Sequence, residues 1–435
     1  MANKPLAQAE SVNSMLRSNS VLVEIDGAVR RITLDKLMDA INENETELLR
    51  QVAWGVPLKE TSNTNWGVVG NRLMWEEYKS HIGRYFLHNS GKAAKLSRTN
   101  SALFADGTAV DQTKGHIMFH GPSLYYLVQT DAVNNIPILW MSQLPIGGHV
   151  IDDEHTTFGA YKASMSGSAL VSRGGVAPAG ARTIESFWTA AQVNGDRFGL
   201  TDYTHRLYMM MLLLSEFGCP NAQTKVGYGV CGSTSVDVWS AAQNLLTGAT
   251  AALGDETGKI DITVTNGNTS TTNASRVNLF GIEDAWGWQW EMIQGIFYGN
   301  SNNAGQDGTE IFIYEGNRMP SAAELASHPE GTFRQKTRLT TSGYTSKMEL
   351  GEYFDLIAKT LSGGSDSYWT DYNYNSATGQ LCLWGGYADS GAACGLACSS
   401  SHLAWSTAAS YSGARLAYYG PLEIVTGSEL MAEIA

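Results

Sequence analysis

Residues 278–300, NLFGIEDAWGWQWEMIQGIFYGN, crowd large rings and glycines into one short span. Glycine lets backbones approach closely, and rings of this size demand large packing partners. Such a segment folds only as the buried centre of a sizeable domain, so Trp286, Trp288 and Trp290 read as scaffold. The chain has room for that centre. It is 435 residues long, 43% hydrophobic and only 16% charged, which describes a folded chain of two or three domains.

The flanks divide into three parts. In VLVEIDGAVRRIT (20–32) the Asp26-Gly27 pair predicts a β-hairpin. Leu34, Met38, Ile41, Leu48 and Val52 then recur at steps of four and three, a seam for a helix that associates with copies of itself, as in a trimer. Residues 1–55 are accordingly expected to anchor and oligomerise the chain. Residues 56–150 carry short β-like runs (NWGVVGNRLMWEEY, GHIMFHG, SLYYLVQT, IPILWM) and form a β-rich connector. Within it His116 and His120 share a strand face but stand too far apart for joint metal ligation, and read as structural.

From 151 the pattern changes. Two helices are predicted, TIESFWTAAQVNG and DYTHRLYMMMLLLSEFG, with Thr183 and Asp202 as N-caps and Gly195 and Gly218 as stops. Apolar residues at 207, 208, 211, 212 and 214 give the second helix one broad buried face. Asn266-Gly267 marks a further hairpin. The predicted fold class is α+β.

Charge and motifs exclude several functions. A formal net charge of −13 argues against nucleic acid and anionic membranes as partners. The N-terminus MANKPLAQAESVNSML lacks an apolar signal core and no apolar run is long enough to span a bilayer, so synthesis and folding in a cytoplasm are expected. Five cysteines, an odd count, fit free thiols in a reducing compartment. Cys394 and Cys398 at C-x-x-x-C spacing are a weak zinc signal, and burial as small hydrophobes is the simpler reading. No cofactor is expected: Asp366 and Asp371 are calcium candidates without a ligand loop of known spacing. No G-x-S-x-G, H-E-x-x-H or Walker A run occurs, and no acid–base or nucleophile pair can be named, so the chain is not expected to be an enzyme.

Two stretches, SDSYWTDYNYN (365–375) and GGYADSGAACGLACSSSHLAWSTAASYSGARL (385–416), are written in Tyr, Ser, Gly, Asn, Trp and His. That is the vocabulary of adaptable recognition surfaces, where rings supply contact area and small polar groups supply hydrogen bonds. Trp369 and Trp384 read equally well as core.

Asn278, Phe280, Gly281, Asp284, Gly287, Trp290 and Glu291 resemble the N-x-F-G-x-x-D/N-x-x-G-N-x-W-E-W signature of formylglycine-generating-enzyme-like domains and their C-type-lectin-fold relatives. Trp288 and Met292 depart from it. Gly385-Gly386, Ser390-Gly391-Ala392, Gly395-Leu396 and Gly413-Ala414-Arg415-Leu416 resemble the G-G-x-W-x-x-G-A-x-x-G-L … G-x-R-L pattern of variable proteins of diversity-generating retroelements, with Ala388 where that pattern has Trp. The resemblance covers about residues 150–425 and is to phage proteins of the major tropism determinant type.

The resemblance implies a C-type lectin fold over 151–435 with a variable region at about 365–415. It also implies a place on a phage tail or fibre, with the N-terminal region joined to other virion proteins. The implied activity is binding of a host surface glycan or protein, without a catalytic role. Diversification of AAC codons yields Tyr, Asp, Ser, Ala, His, Leu, Cys or Thr but never Lys, Glu, Gln, Met or Trp; residues 385–416 lack the first four, and Trp405 must arise otherwise. The receptor-contacting residues implied are Tyr368, Tyr372, Tyr374, Tyr387, Asp389, Ser390, Ala393, Ser401, His402, Leu403, Trp405, Thr407 and Tyr411. Arg415, in the G-x-R-L ending, is expected to pair with a buried carboxylate instead. The rival readings are a structural or decorating virion protein, a non-viral surface binder of the same fold and, last, a formylglycine-generating-type enzyme.

Overall fold

The computed structural model describes residues 20–25, 28–33, 46–131, 134–232, 238–266, 269–314, 319–320 and 333–435. Among these, strands account for 35% and helices for 18%, and the strands form several mostly antiparallel sheets. The α+β expectation, with an N-terminal helical segment ahead of a connector and a lectin-fold head, is therefore corrected to a predominantly β architecture. The predicted helices do form at Ile184–Gln192 and Tyr203–Phe217, but they are too few and too short to make a layer of their own.

The strands at the chain start pair Ser20–Ile25 with Ala28–Thr33 and bring Ile25 opposite Ala28, while the expected Asp26-Gly27 turn itself lies outside the described residues. Of the expected helical seam, Leu34, Met38 and Ile41 lie outside the described residues. Leu48 and Val52 fall on the helix Thr46–Val52, where they are buried beside Leu49, Tyr125 and Trp140 of their own chain. These two side chains thus serve the local core, which corrects their assignment to a self-association surface.

Strands Trp54–Pro57, Val69–Gly70, Leu124–Asp131, Ile136–Ser142 and His149–Ile151 make a five-stranded sheet. The run NWGVVGNRLMWEEY, expected as strand, is corrected: from Arg72 it forms the helix Arg72–His81, capped by Asn71 and burying Trp75 and Tyr78. The rest of the expected connector belongs elsewhere. Gly83–Leu87, Lys92–Ser97 and His116–His120 join Thr157–Gly159, Phe198–Leu200 and Leu416–Tyr418 in an eight-stranded sheet. Phe158 lies opposite Phe119 on one side and Ala417 on the other, so residue 150 marks no structural boundary. His116 bonds Asn89 at 2.9 Å and His120 bonds Thr157 at 2.8 Å, which accounts for both as structural.

A second eight-stranded sheet is built around Trp290–Tyr298. The helix Tyr203–Phe217 packs against this strand and is buried on every face over 203–215, not on one face as its apolar spacing implies. Asp202 caps it in a reciprocal box with His205, and Gly218 ends it in the left-handed region at φ 54°, where glycine carries no Cβ penalty.

The capping carboxylate also receives His155, whose Nε2 is 3.3 Å from Asp202 while its Nδ1 is 2.9 Å from Asp152. Burial would lower the His155 pKa, but Asp202 and Asp152 together raise it to about 10. A raised histidine contributes stability that is fully present below its ordinary value of 6.5 and lost as pH climbs through about 10. The melting-temperature penalty of His155→Gln is accordingly expected to be largest at pH 6.5 or below and to shrink steadily toward pH 10. A penalty flat across that range in thermal melts would contradict the pairing.

Candidate functional site

Beneath the recognition stretches lies a buried ionic scaffold made by the signature residues. Glu291, 1% exposed, takes Lys162 Nζ at 2.9 Å and Arg415 Nη2 at 2.8 Å on Oε1, and Arg206 on Oε2. Burial alone would push its carboxyl up, but Arg206, Arg415 and Lys162 hold it well below the usual carboxylate range. Desolvation in turn lowers Lys162 to about 8 and Arg206 to about 10. Arg415 also donates to the carbonyls of Gly159 and Glu283 at 2.9 and 3.0 Å. The expected buried carboxylate for Arg415 is thus Glu291, and it ties the G-x-R-L ending to the Trp-rich signature.

The other signature residues complete the scaffold. Asn278 donates to the carbonyls of Gly254 and Glu256 and accepts from Arg84 at 3.0 Å. Asp284 pairs with Arg276 at 2.6 Å. Trp288, where the signature has Asn, lies under the Arg276 guanidinium at 4.3 Å and donates to the Ala242 carbonyl at 2.9 Å. Trp286, Trp369 and Trp384 are buried as well, which settles the latter two as core.

Trp290 links this scaffold to a group of partly exposed tyrosines. It is 1% exposed, stacks on Tyr387 at 6.1 Å and meets Tyr374 edge-on at 5.9 Å. Tyr387 continues to Tyr411 at 5.4 Å, Tyr374 to Tyr372 at 4.5 Å, and Tyr372 to Tyr344 at 5.0 Å. The result is an unbroken row of six rings, of which the five tyrosines are partly exposed and Trp290 is the floor. Strand alternation sets the row: Tyr372 and Tyr374 share one face of Tyr372–Tyr374, and Asn373 points the other way. There Asn373 donates to Thr345 at 2.6 Å and accepts from Ser399 at 2.5 Å, which fixes the strand from behind.

Of the residues assigned from the sequence, Tyr372, Tyr374, Tyr387 and Tyr411 are thus brought together. His402, which is exposed, lies two residues past Ser399–Ser400, a strand parallel to Tyr372–Tyr374. Burial lowers its pKa and its Nδ1 bonds the Ser400 hydroxyl. Trp405 meets Phe297 at 6.2 Å in a neighbouring ring cluster, and the amide of half-buried Thr407 is turned back to the Ala404 carbonyl. Asp389 accepts from the Trp239 amide at 3.0 Å and so holds the start of the helix Val238–Ala242. Tyr368 stands apart, its amide bonded to the Thr61 carbonyl at 3.1 Å beside the Trp66–Trp369 pair.

Four assigned contact residues are corrected, because they are buried. Ser390 accepts from the Tyr387 amide at 3.2 Å and Ala393 fills a turn. Ser401 receives Arg338 and the Ser376 amide. The Leu403 carbonyl takes the amides of Gln380 and Leu381, both at 2.9 Å. They shape the face without reaching it. Tyr344, by contrast, belongs to the row although it precedes the variable region; its surroundings, TSGYTS, use the same vocabulary and carry the only sequence signal for it.

Two further expectations change. Cys231 and Cys394 form a disulfide across 163 residues, so not all five cysteines are free; Cys219, Cys382 and Cys398 are free and buried. Gly287 and Gly386, at φ 78° and 79°, make way for it, since a Cβ on either would sit 2.7 Å from Cys231 Sγ or 2.5 Å from Cys394 Sγ. Asp371, a calcium candidate, is buried with its carboxylate on the Ala397 amide at 2.7 Å and the Thr370 hydroxyl at 3.1 Å, and burial raises its pKa well above the ordinary value. It clamps the 395–398 turn. Among the described residues no group of three His, Cys, Asp or Glu side chains is placed to hold a metal ion.

No protein-family model and no curated protein matches the chain.

Proposed function

We propose that this protein is the receptor-binding component of a phage virion, of the kind diversified by retroelements, and that it attaches to a host surface through the tyrosine row. The observation that carries this reading is the division of labour within residues 365–416. The pattern residues Gly386 and Arg415 are engaged in a buried framework, while tyrosines at the positions expected to vary converge on one partly exposed face. A surface whose ring side chains can change without disturbing the charges beneath it is suited to diversification. Weak contacts at single faces would gain strength from several copies on one particle.

The test is adsorption of particles carrying Tyr387→Ala, His402→Ala and Tyr411→Ala together. Host binding is expected to fall by at least about a hundredfold, on the scale of two lost interface anchors, while particle yield and protein incorporation stay unchanged. Unaltered adsorption with intact particles would overturn the assignment of this face. The Cys231–Cys394 disulfide fits a protein that works outside a reducing cytoplasm, which a released virion does.

A further inference from the structure

Resting on that reading, we infer that the ligand of the tyrosine row is an uncharged glycan presented as a chain of repeating units. Residues 361–414 contain no Lys, Arg or Glu and only three Asp. Two of those are engaged in the fold, Asp371 on the Ala397 amide and Asp389 on the Trp239 amide. Arg182, bonded to Ser186, and the exposed Glu185 follow Ala181, whose amide bonds the Ala409 carbonyl two residues before Tyr411, and are opposite in sign. The exposed Lys347 lies three residues past Tyr344, at the far end of the row. Across residues 361–414, which carry four of the five tyrosines, the face therefore offers no cation to a sialic acid or a phosphate. To a protein epitope it offers one exposed carboxylate, Asp366, whereas about a quarter of a typical protein's residues are charged. Desolvating such charges against a surface without partners is unfavourable.

A neutral sugar brings what this face can meet. Its C–H faces lie on aromatic rings, and its hydroxyls exchange hydrogen bonds with tyrosine hydroxyls and small polar side chains. The shape of the row points to a polymer. Successive centroids from Tyr344 to Tyr411 are 4.5 to 6.1 Å apart, a spacing of the order of one pyranose ring. Three tyrosines lie on one side of Trp290 and two on the other, which offers consecutive sugars consecutive platforms.

The experiment immobilises neutral polysaccharides (β-glucan, mannan, galactan), their sialylated or sulfated counterparts, and unglycosylated proteins, and measures binding of the full chain at low and high salt. The expected result is binding to at least one neutral polysaccharide that changes less than about twofold with salt. That binding should fall at least about tenfold in Tyr372→Ala/Tyr387→Ala. Tyr372→Phe/Tyr387→Phe, which keeps the rings and the packing, should retain most of it and so separates lost stacking from misfolding. Binding confined to charged glycans or to proteins, or to nothing in the panel, overturns the inference. If protein binding is found and is lost in the alanine variant, the receptor-binding reading survives without the glycan. If particles carrying the alanine pair adsorb to the host as wild type does, both fall.

Discussion

Glu291→Gln is expected to destabilise the protein by about 3–5 kcal/mol, the usual cost of breaking a buried ion pair from one side. The variant keeps the shape of the side chain but leaves Lys162, Arg206 and Arg415 buried at 3%, 0% and 0% exposure without their shared anion. Against a total stability of roughly 5–15 kcal/mol this is a large share, and it should appear as a lower urea midpoint at an unchanged slope. The sign of the pH dependence follows from the depressed carboxyl. Its contribution is fully present above the ordinary value of 4.5 and is lost as pH falls below it, so wild type and variant should converge in acid. A penalty under about 1 kcal/mol at neutral pH would mean that the three cations are not held by this carboxylate.

Trp290→Ala is expected to cost about 3–5 kcal/mol as well, through the cavity left by a buried indole. It should also abolish ligand binding, which Glu291→Gln need not do. Trp290 packs with Met292, Leu381 and Leu383 below and carries Tyr374 and Tyr387 above, so its removal separates the two halves of the ring row. Trp290→Phe keeps a ring in the floor and should recover more than half of the lost stability. The pair of variants measured by thermal melts and by adsorption distinguishes floor from filler. Binding that survives in a folded Trp290→Ala protein would show that the two tyrosine groups act independently.

What could be read in the sequence was local chemistry. Thr183 and Asp202 cap helices because a short polar side chain before an apolar run satisfies free amides, and both do so here. Asp26-Gly27 and Asn266-Gly267 mark hairpins because glycine tolerates the turn, and the flanking strands pair accordingly. Arg415 was legible as a buried partner through the resemblance of Gly413–Leu416 to a G-x-R-L ending. The pairing of His116–His120 with Thr157–Gly159, and of that strand with Leu416–Tyr418, was not, because strand partners far apart in sequence leave no mark on either strand.

The Cys231–Cys394 bond was hidden for the same reason, since spacing alone does not pair distant cysteines. Within 385–416 the Gly, Ala and Ser background gives no periodicity, so Tyr387 and Ser390 look equally exposed in sequence although only Tyr387 reaches the surface. Fold class failed at a different step. The helices predicted after Thr183 and Asp202 formed, but the many two- and three-residue strands around them are too short to announce themselves.

The place of Leu416–Tyr418 between Phe198–Leu200 and Thr157–Gly159 has a consequence for synthesis. These residues follow the tyrosine-bearing stretches, yet they fill an interior position of a sheet between two neighbours that are translated far earlier. With Arg415 they also deliver the last cation to Glu291. A chain that stops or shifts frame anywhere within the recognition stretches therefore lacks both the strand and the ion pair, and cannot close the sheet or neutralise its core. The fold acts as its own proofreader: only a chain translated intact through residues 365–416 acquires a finished framework on which to display their tyrosines.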